Sequence, residues 1–232
     1  MRSILDNRST SITGLNVRFF STFAMNRHIA TLLERAPALE SCAAEIEAAY
    51  ILMRDSYTAG GKLLLAGNGG SGADAEHWAG ELLKGFLSKR SLDEIEAEKM
   101  GELSCKLQGA LAAIPLTAFT AFRTAWLNDC EPDFLYAQLV YGLGRPGDVL
   151  VGISTSGNSK NVCHALNAAK KMGIKTVGLT GAGGGRVLET ADVTIRVPAD
   201  RVHLIQEYHL PVYHTLCLML EDAFFPEPPA AA

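Results

Sequence analysis

Little in this chain of 232 residues marks a specialised environment. The five cysteines, Cys42, Cys105, Cys130, Cys163 and Cys217, are scattered, odd in number and without C-x-x-C spacing. That argues against a disulfide framework or a cysteine zinc site and leaves buried free thiols in a reducing compartment as the expectation. Positive charge is scarce as well: 21 Lys and Arg against 25 Asp and Glu give a net charge of −4, without the basic footprint of a nucleic-acid binder. No apolar run reaches membrane-spanning length, and the N-terminal residues lack a signal-peptide hydrophobic region. A cytoplasmic protein with neither nucleic acid nor membrane as partner is expected. Hydrophobic residues make up 48% and charged residues 20%, and the length suits one α/β domain with a helical extension.

What is present centres on Lys62 to Ala66, a continuous apolar run of the kind a buried parallel strand shows, which breaks into Gly67-Asn68-Gly69-Gly70-Ser71-Gly72 and then a helical pattern to Leu83. Glycines there let the backbone turn sharply and approach a ligand closely. Ser71 and Asp74 are N-cap-competent, and a helix starting there would aim unpaired N–H groups at an anion such as phosphate. A second loop repeats the design. Asp148 to Ile153 is apolar after its first residue, and Ser154, Thr155, Ser156 and Ser159 follow, four hydroxyls within six residues, ahead of a helical pattern from Val162 to Met172. Hydroxyls and backbone N–H groups at such a turn hold phosphate without a lysine. In an open parallel sheet both turns converge on one crevice at the carboxyl ends of the strands. Neither loop matches G-x-x-x-x-G-K-[ST], the first only approximates the dinucleotide fingerprint, and no nucleotide cofactor is expected.

Around these loops the chain divides into four parts. Residues 1–14 are polar and irregular, expected as a flexible tail, and 15–60 read as two helices broken near Ala36-Pro37, with Leu15, Phe19, Phe20 and Phe23 before the break and Leu39, Ile46, Tyr50 and Ile51 after it. Their apolar faces need a partner, so homo-oligomerisation is expected. Residues 61–225 alternate strands (near 62–66, 112–116, 149–153, 176–179 and 193–197) with helices (73–86, 132–141, 161–172, 186–190 and 205–224), which predicts a parallel sheet covered on both faces. Ser88 to Gln108 reads as an inserted exposed loop or short helix, Pro211 is expected to kink the last helix, and 226–232 is expected to be disordered.

With both loops and the last helix in view, the sequence resembles the sugar isomerase (SIS) domain family, and within it the phosphoheptose isomerases. The matching pieces are Gly67-Asn68-Gly69-Gly70-Ser71, His77-Trp78-Ala79-Gly80-Glu81-Leu82, Asn128-Asp129, Gly147-Asp148-Val149-Leu150, Gly152 to Ser159, Leu179-Thr180-Gly181, and Ile205-Gln206-Glu207 with His209 and His214. The resemblance implies a three-layer α/β/α sandwich with a five-stranded sheet, a homotetramer, and conversion of sedoheptulose 7-phosphate to D-glycero-D-manno-heptose 7-phosphate. It implies substrate contacts from Asn68, Gly69, Gly70, Ser71, Asn128, Asp129, Ser154, Thr155, Ser156, Ser159 and Gln206, and an acid/base pair in Glu81 and His214. Some members bind zinc through positions matching His77, Glu81, Gln206 and His214, so zinc is the cofactor the resemblance implies. Two positions depart from the family pattern: Lys84-Gly85, where an arginine is usual, and His203, where an aspartate is usual.

The residues fit that chemistry on their own terms. His77 and Glu81 are four apart on one helix, Gln206 and His214 eight apart on another, and each pair shares a face. An aldose–ketose isomerisation moves a proton between adjacent carbons through an enediol, which needs a carbon base and a group that shuttles a hydroxyl proton. Taken singly, His77 reads as a hydrogen-bonded helix residue, Glu81 as a surface charge, Asn128-Asp129 as a turn and Gln206 as a cap; together with two phosphate-type loops they read as a site. Competing expectations are a non-catalytic SIS module that binds a sugar phosphate or a protein, like the DnaA-initiator-associating protein, and an isomerase of another phosphosugar.

Overall fold

The computed structural model describes residues 26–226. The expectations for the 1–14 tail, for Leu15, Phe19, Phe20 and Phe23, and for 227–232 fall outside the described residues. Five strands, β1 (Leu63–Gly67), β2 (Ala113–Pro115), β3 (Val149–Ile153), β4 (Lys175–Thr180) and β5 (Val193–Arg196), form one sheet of order β2-β1-β3-β4-β5. Every neighbouring pair is parallel, with Leu63 opposite both Ala113 and Val149. All five residues of β1 and of β3 are buried, as a sheet covered on both faces requires.

Successive side chains of a strand point to opposite faces, and that period of two sorts the core. Leu63, Leu65, Val149, Val151 and Ile153 face one layer, built from α1 (Arg27–Arg35), α2 (Ala43–Thr58), α3 (Gly70–Leu83) and α9 (Val202–Phe224). Leu64, Ala66 and Leu150 face the other, built from α5 (Thr120–Asp129), α6 (Leu135–Leu143), α7 (Lys160–Lys171) and α8 (Gly185–Thr190). The result is the three-layer sandwich.

Several local expectations shift. The break at Ala36-Pro37 is a 3-10 turn, Pro37–Cys42, between α1 and α2. α3 begins at Gly70, three residues before the expected Ala73, because Gly69 takes φ +55° and turns the chain directly into the helix. Ser71 and Asp74 therefore lie inside the first turns of α3 and do not cap it. Unexpected is α5, which buries none of its residues fully and packs only Phe122 and Trp126, four apart, against the core. α9 stays helical through Pro211 for all of its 23 residues. Between α3 and β2 the chain makes an excursion holding α4 (Glu94–Met100) and a 3-10 turn, Gly101–Cys105. Its neck is stitched by Gly85 N–H donating to Gln108 Oε1 at 2.8 Å and Gly109 N–H donating to the Arg90 carbonyl at 2.6 Å.

Candidate active site

β1 and β3 are neighbours, yet the chain leaves β1 toward β2 on one side and β3 toward β4 on the other. Their carboxyl ends thus form the switch-point crevice where open α/β sheets bind ligands. Two loops meet there. In the first, Tyr136 Oη donates to the Gly67 carbonyl at 2.5 Å, and Asn68 exchanges a reciprocal pair of amide hydrogen bonds with Asn161, each 2.9 Å. Ser71 is buried, while Asn68, Gly69 and Gly70 are exposed. A cavity of about 540 Å³ opens beside this turn, lined by Asn68, Gly69, Glu76, Arg123, Tyr136 and Asn161 among others.

In the second loop Ser154 is buried and its Oγ lies 3.0 Å from Ser159 Oγ. Ser156 is exposed and accepts from the Asn158 N–H at 3.1 Å. Ser159 stands at the N-cap position of α7 without capping through its side chain. Both loops end on helix starts, where unpaired N–H groups favour an anion.

The titratable residues are assembled elsewhere, on the facing flanks of α3 and α9. Spacings of three and four put Asp74, His77 and Glu81 on one side of α3. Tyr213 and His214 come from α9: the rings of His77 and His214 lie 5.1 Å apart, and Tyr213 stacks on Trp78 at 5.4 Å. Tyr213 Oη is 2.9 Å from His77 Nδ1 and 3.4 Å from Asp74 Oδ1. By the shorter contact Tyr213 donates to Nδ1, which puts the ring proton on Nε2, where it is donated to Glu81 Oε1 at 3.2 Å. Lys84 Nζ stands 3.4 Å from the other carboxylate oxygen.

His214 Nε2 is buried without a hydrogen-bond partner. Burial, with His77 close by, lowers the His214 pKa against the opposing pull of Glu81, so near neutral pH the ring is uncharged and its nitrogen free to take or give a proton. Burial also raises the pKa of Asp74 and of the Tyr213 hydroxyl.

Of the residues anticipated from sequence, Glu81, His77 and His214 are brought together, and Gln206 lies against the start of α3. A Cβ on Gly70 would sit 2.5 Å from Gln206 Nε2, so glycine is what lets that side chain approach the turn. Asn128 and Asp129 end α5, exposed and bonded to one another at 2.7 Å, and no hydrogen bond among the described residues joins them to Glu81 or His214. Sequence reasoning missed Tyr213, Trp78 and Asn161 as site residues. The three-and-four spacing of Asp74, His77 and Glu81 was a signal for Asp74; nothing local marked Asn161.

The four residues expected to hold zinc come together in part. No group of three or more His, Cys, Asp or Glu side chains among the described residues is spaced to hold a metal ion. His77, Glu81 and His214 meet on the α3–α9 flank, where His77 has one nitrogen turned to Glu81 and the other to Tyr213, while Gln206 sits at the opening turn of α3.

Known proteins show the same plan. The SIS domain model matches residues 26–181. The chain is 42% identical over 185 residues to the phosphoheptose isomerase of Rhodospirillum rubrum, covering 80% of this chain and 89% of that one. It is 38% identical over 201 residues to the phosphoheptose isomerase of Akkermansia muciniphila, covering 87% and 97%. Among solved structures, the phosphoheptose isomerase of Neisseria gonorrhoeae superposes with a TM-score of 0.68 at 35% identity, covering 84% of this chain and 95% of that one. That of Francisella tularensis gives a TM-score of 0.69 at 31% identity, covering 83% and 93%.

Proposed function

This chain belongs to the SIS domain family, and from that premise we infer that it is a phosphosugar isomerase converting sedoheptulose 7-phosphate to D-glycero-D-manno-heptose 7-phosphate through an enediol. The observation that carries the mechanism is the pairing of a largely buried carboxylate, Glu81, with a neutral, unpartnered imidazole, His214, on the facing flanks of α3 and α9.

The turns hold the phosphate through helix-start N–H groups and the hydroxyls of Ser154, Thr155, Ser156 and Ser159. With the phosphate fixed, this reading requires C1 and C2 of the ketose to reach the α3–α9 flank. Glu81 removes a proton from C1, electrons move into the C1–C2 bond, and the C2 carbonyl becomes the enediol hydroxyl. His214 takes the O1 proton and supplies one to O2, and Glu81 returns its proton to C2, leaving the aldehyde at C1. Donation from His77 Nε2 orients the Glu81 carboxylate for this transfer, and Tyr213 holds His77 in the tautomer that makes the donation. No step is routed through a metal.

The chain is proposed to work as a homotetramer, a reading supported by apolar side chains left in solvent, among them Leu87 at 76% and Tyr141 at 70% exposure. A cytoplasmic location is proposed from the phosphorylated substrate and from five cysteines that are all free thiols. No helix among the described residues is long and apolar enough to cross a membrane.

Incubation with sedoheptulose 7-phosphate in D₂O, followed by proton NMR at C1 and C2, tests the activity. Conversion with solvent deuterium at C2 of the product is the expected result; a sugar phosphate that binds without exchange returns the chain to a binding module.

A further inference from the structure

We propose that Arg90 and Glu221 form a clasp that positions the two proton-transfer groups, Glu81 and His214, relative to one another; this rests on the acid/base reading given above. Neither residue touches the crevice loops, and neither is one of the proton-transfer groups. Both side chains are nevertheless buried, at 0% and 5% exposure, with Arg90 Nε 2.7 Å from Glu221 Oε1.

The clasp has one arm on each helix. Arg90 lies beyond the end of α3, and its guanidinium donates to the carbonyl of Leu82 at 2.7 Å and to the carbonyl of Glu81 itself at 3.0 Å. Those carbonyls belong to the last turn of α3, which has no intrahelical donors left for them. Glu221 sits on α9 seven residues, two turns, after His214 and so on the same face. Its carboxylate also accepts the backbone N–H groups of Phe86 and Leu87, each at 2.8 Å, and of Ser88 at 3.3 Å. Phe86, held there by its own N–H, packs its ring 5.2 Å from the ring of His214. One ion pair therefore fixes the backbone at Glu81 and the ring wall of His214.

Two further features separate this from ordinary core packing. Arg90 is the one non-glycine residue at positive φ among the described residues, +43°, a conformation that persists only where its surroundings enforce it. A buried ion pair is by itself poor at adding stability, since apolar residues of similar volume often do as well; what apolar residues lack is the directional set of bonds that fixes a register.

The test compares steady-state kinetics on sedoheptulose 7-phosphate at 15 °C for wild type, Arg90→Lys, Glu221→Gln and, as reference, Glu81→Gln, with folding checked by far-ultraviolet circular dichroism. Lysine keeps the charge beside Glu221 but carries its donors on one nitrogen, where Arg90 reaches its three acceptors from three, and glutamine keeps the shape but turns a donor toward two N–H groups. The expected result is a kcat lowered about tenfold or more in both folded variants, with KM within about twofold, because a misplacement near 1 Å costs on the order of 100-fold. Folded variants with wild-type kcat, while Glu81→Gln is inactive, overturn the clasp alone. So does a loss of rate equal to the fraction of protein unfolded, or a failure of both variants to fold, since the pair is then a stability element. A wild type without isomerase activity overturns the reading of the site and the clasp with it.

Discussion

At the ends of β1 and β3 the site is made of backbone: a glycine turn, a hydroxyl loop and two helix starts, each contributed by residues a few positions apart. On the flank of α3 and α9 it is made of side chains brought together from far along the chain, with Tyr213 reaching His77 across 136 residues and Arg90 reaching Glu221 across 131. The first region grips whatever carries a phosphate. The second decides what happens to it. A turn of glycines needs little more than its own sequence to form, whereas the proton-transfer flank exists only once two helices have packed, so the two regions respond to different perturbations.

The sharpest way to separate them is Glu81→Gln, which removes the carbon base and leaves both loops intact. It is expected to lower kcat about 1,000-fold with KM changed by less than about threefold, as general-base removal typically costs 10²- to 10⁴-fold. Solvent-deuterium exchange should vanish along with turnover.

His209 tests the seam between the regions, since it lies on α9 between Gln206 at the turn and His214 on the flank. It is fully buried, neither ring nitrogen has a hydrogen-bond partner, and burial pushes its pKa down to about 4, opposed by the Thr180 backbone. A base whose pKa is lower folded than unfolded binds more protons when unfolded, so its share of stability is complete above about pH 6.5 and is lost as the pH falls toward 4. The loss amounts to about 3 kcal/mol over that window. Urea midpoints at pH 7.5 and 5 should capture about 2 kcal/mol of it, and His209→Phe should flatten the difference.

Ser154→Ala strikes the grip and spares the chemistry: KM should rise about tenfold and kcat stay within about threefold, the size of one hydrogen bond to a charged group. The smallest effect is expected for Tyr213→Phe. It keeps the stacking on Trp78 and removes the hydroxyl that bonds His77 Nδ1 and reaches Asp74, for a fall in kcat of about fivefold at unchanged KM.

The same division decides what was legible in the sequence. β1 and β3 were visible because a strand covered on both faces is apolar throughout, and the glycines of one loop and the hydroxyls of the other sit next to them. Glu81, His77 and His214 were visible through helical spacing and through resemblance to a known family. α5 was not, since its apolar flank is short, Phe122 and Trp126 among polar and small residues and neither fully buried, and the start of α3 was placed three residues late because Ser71 looked like a cap while the turn itself was made by Gly69. Tyr213 and Asn161 were hidden for another reason: each matters through one partner that only the packed fold brings near, and an exposed-looking asparagine or a helical tyrosine has no local mark of that.

The stitched neck of the excursion between α3 and β2 has a consequence for how such a chain can change over time. Gln108 and Gly109 close the base on Gly85 and Arg90, so everything from Ser91 to Leu107 hangs from a seam that does not depend on it. The entropy of closing such a loop grows only slowly with its length. The tip is free to lengthen, shorten or exchange its sequence while the catalytic helices stay in register, which makes it the natural place for lineages, or protein engineers, to graft a new surface onto an unaltered enzyme.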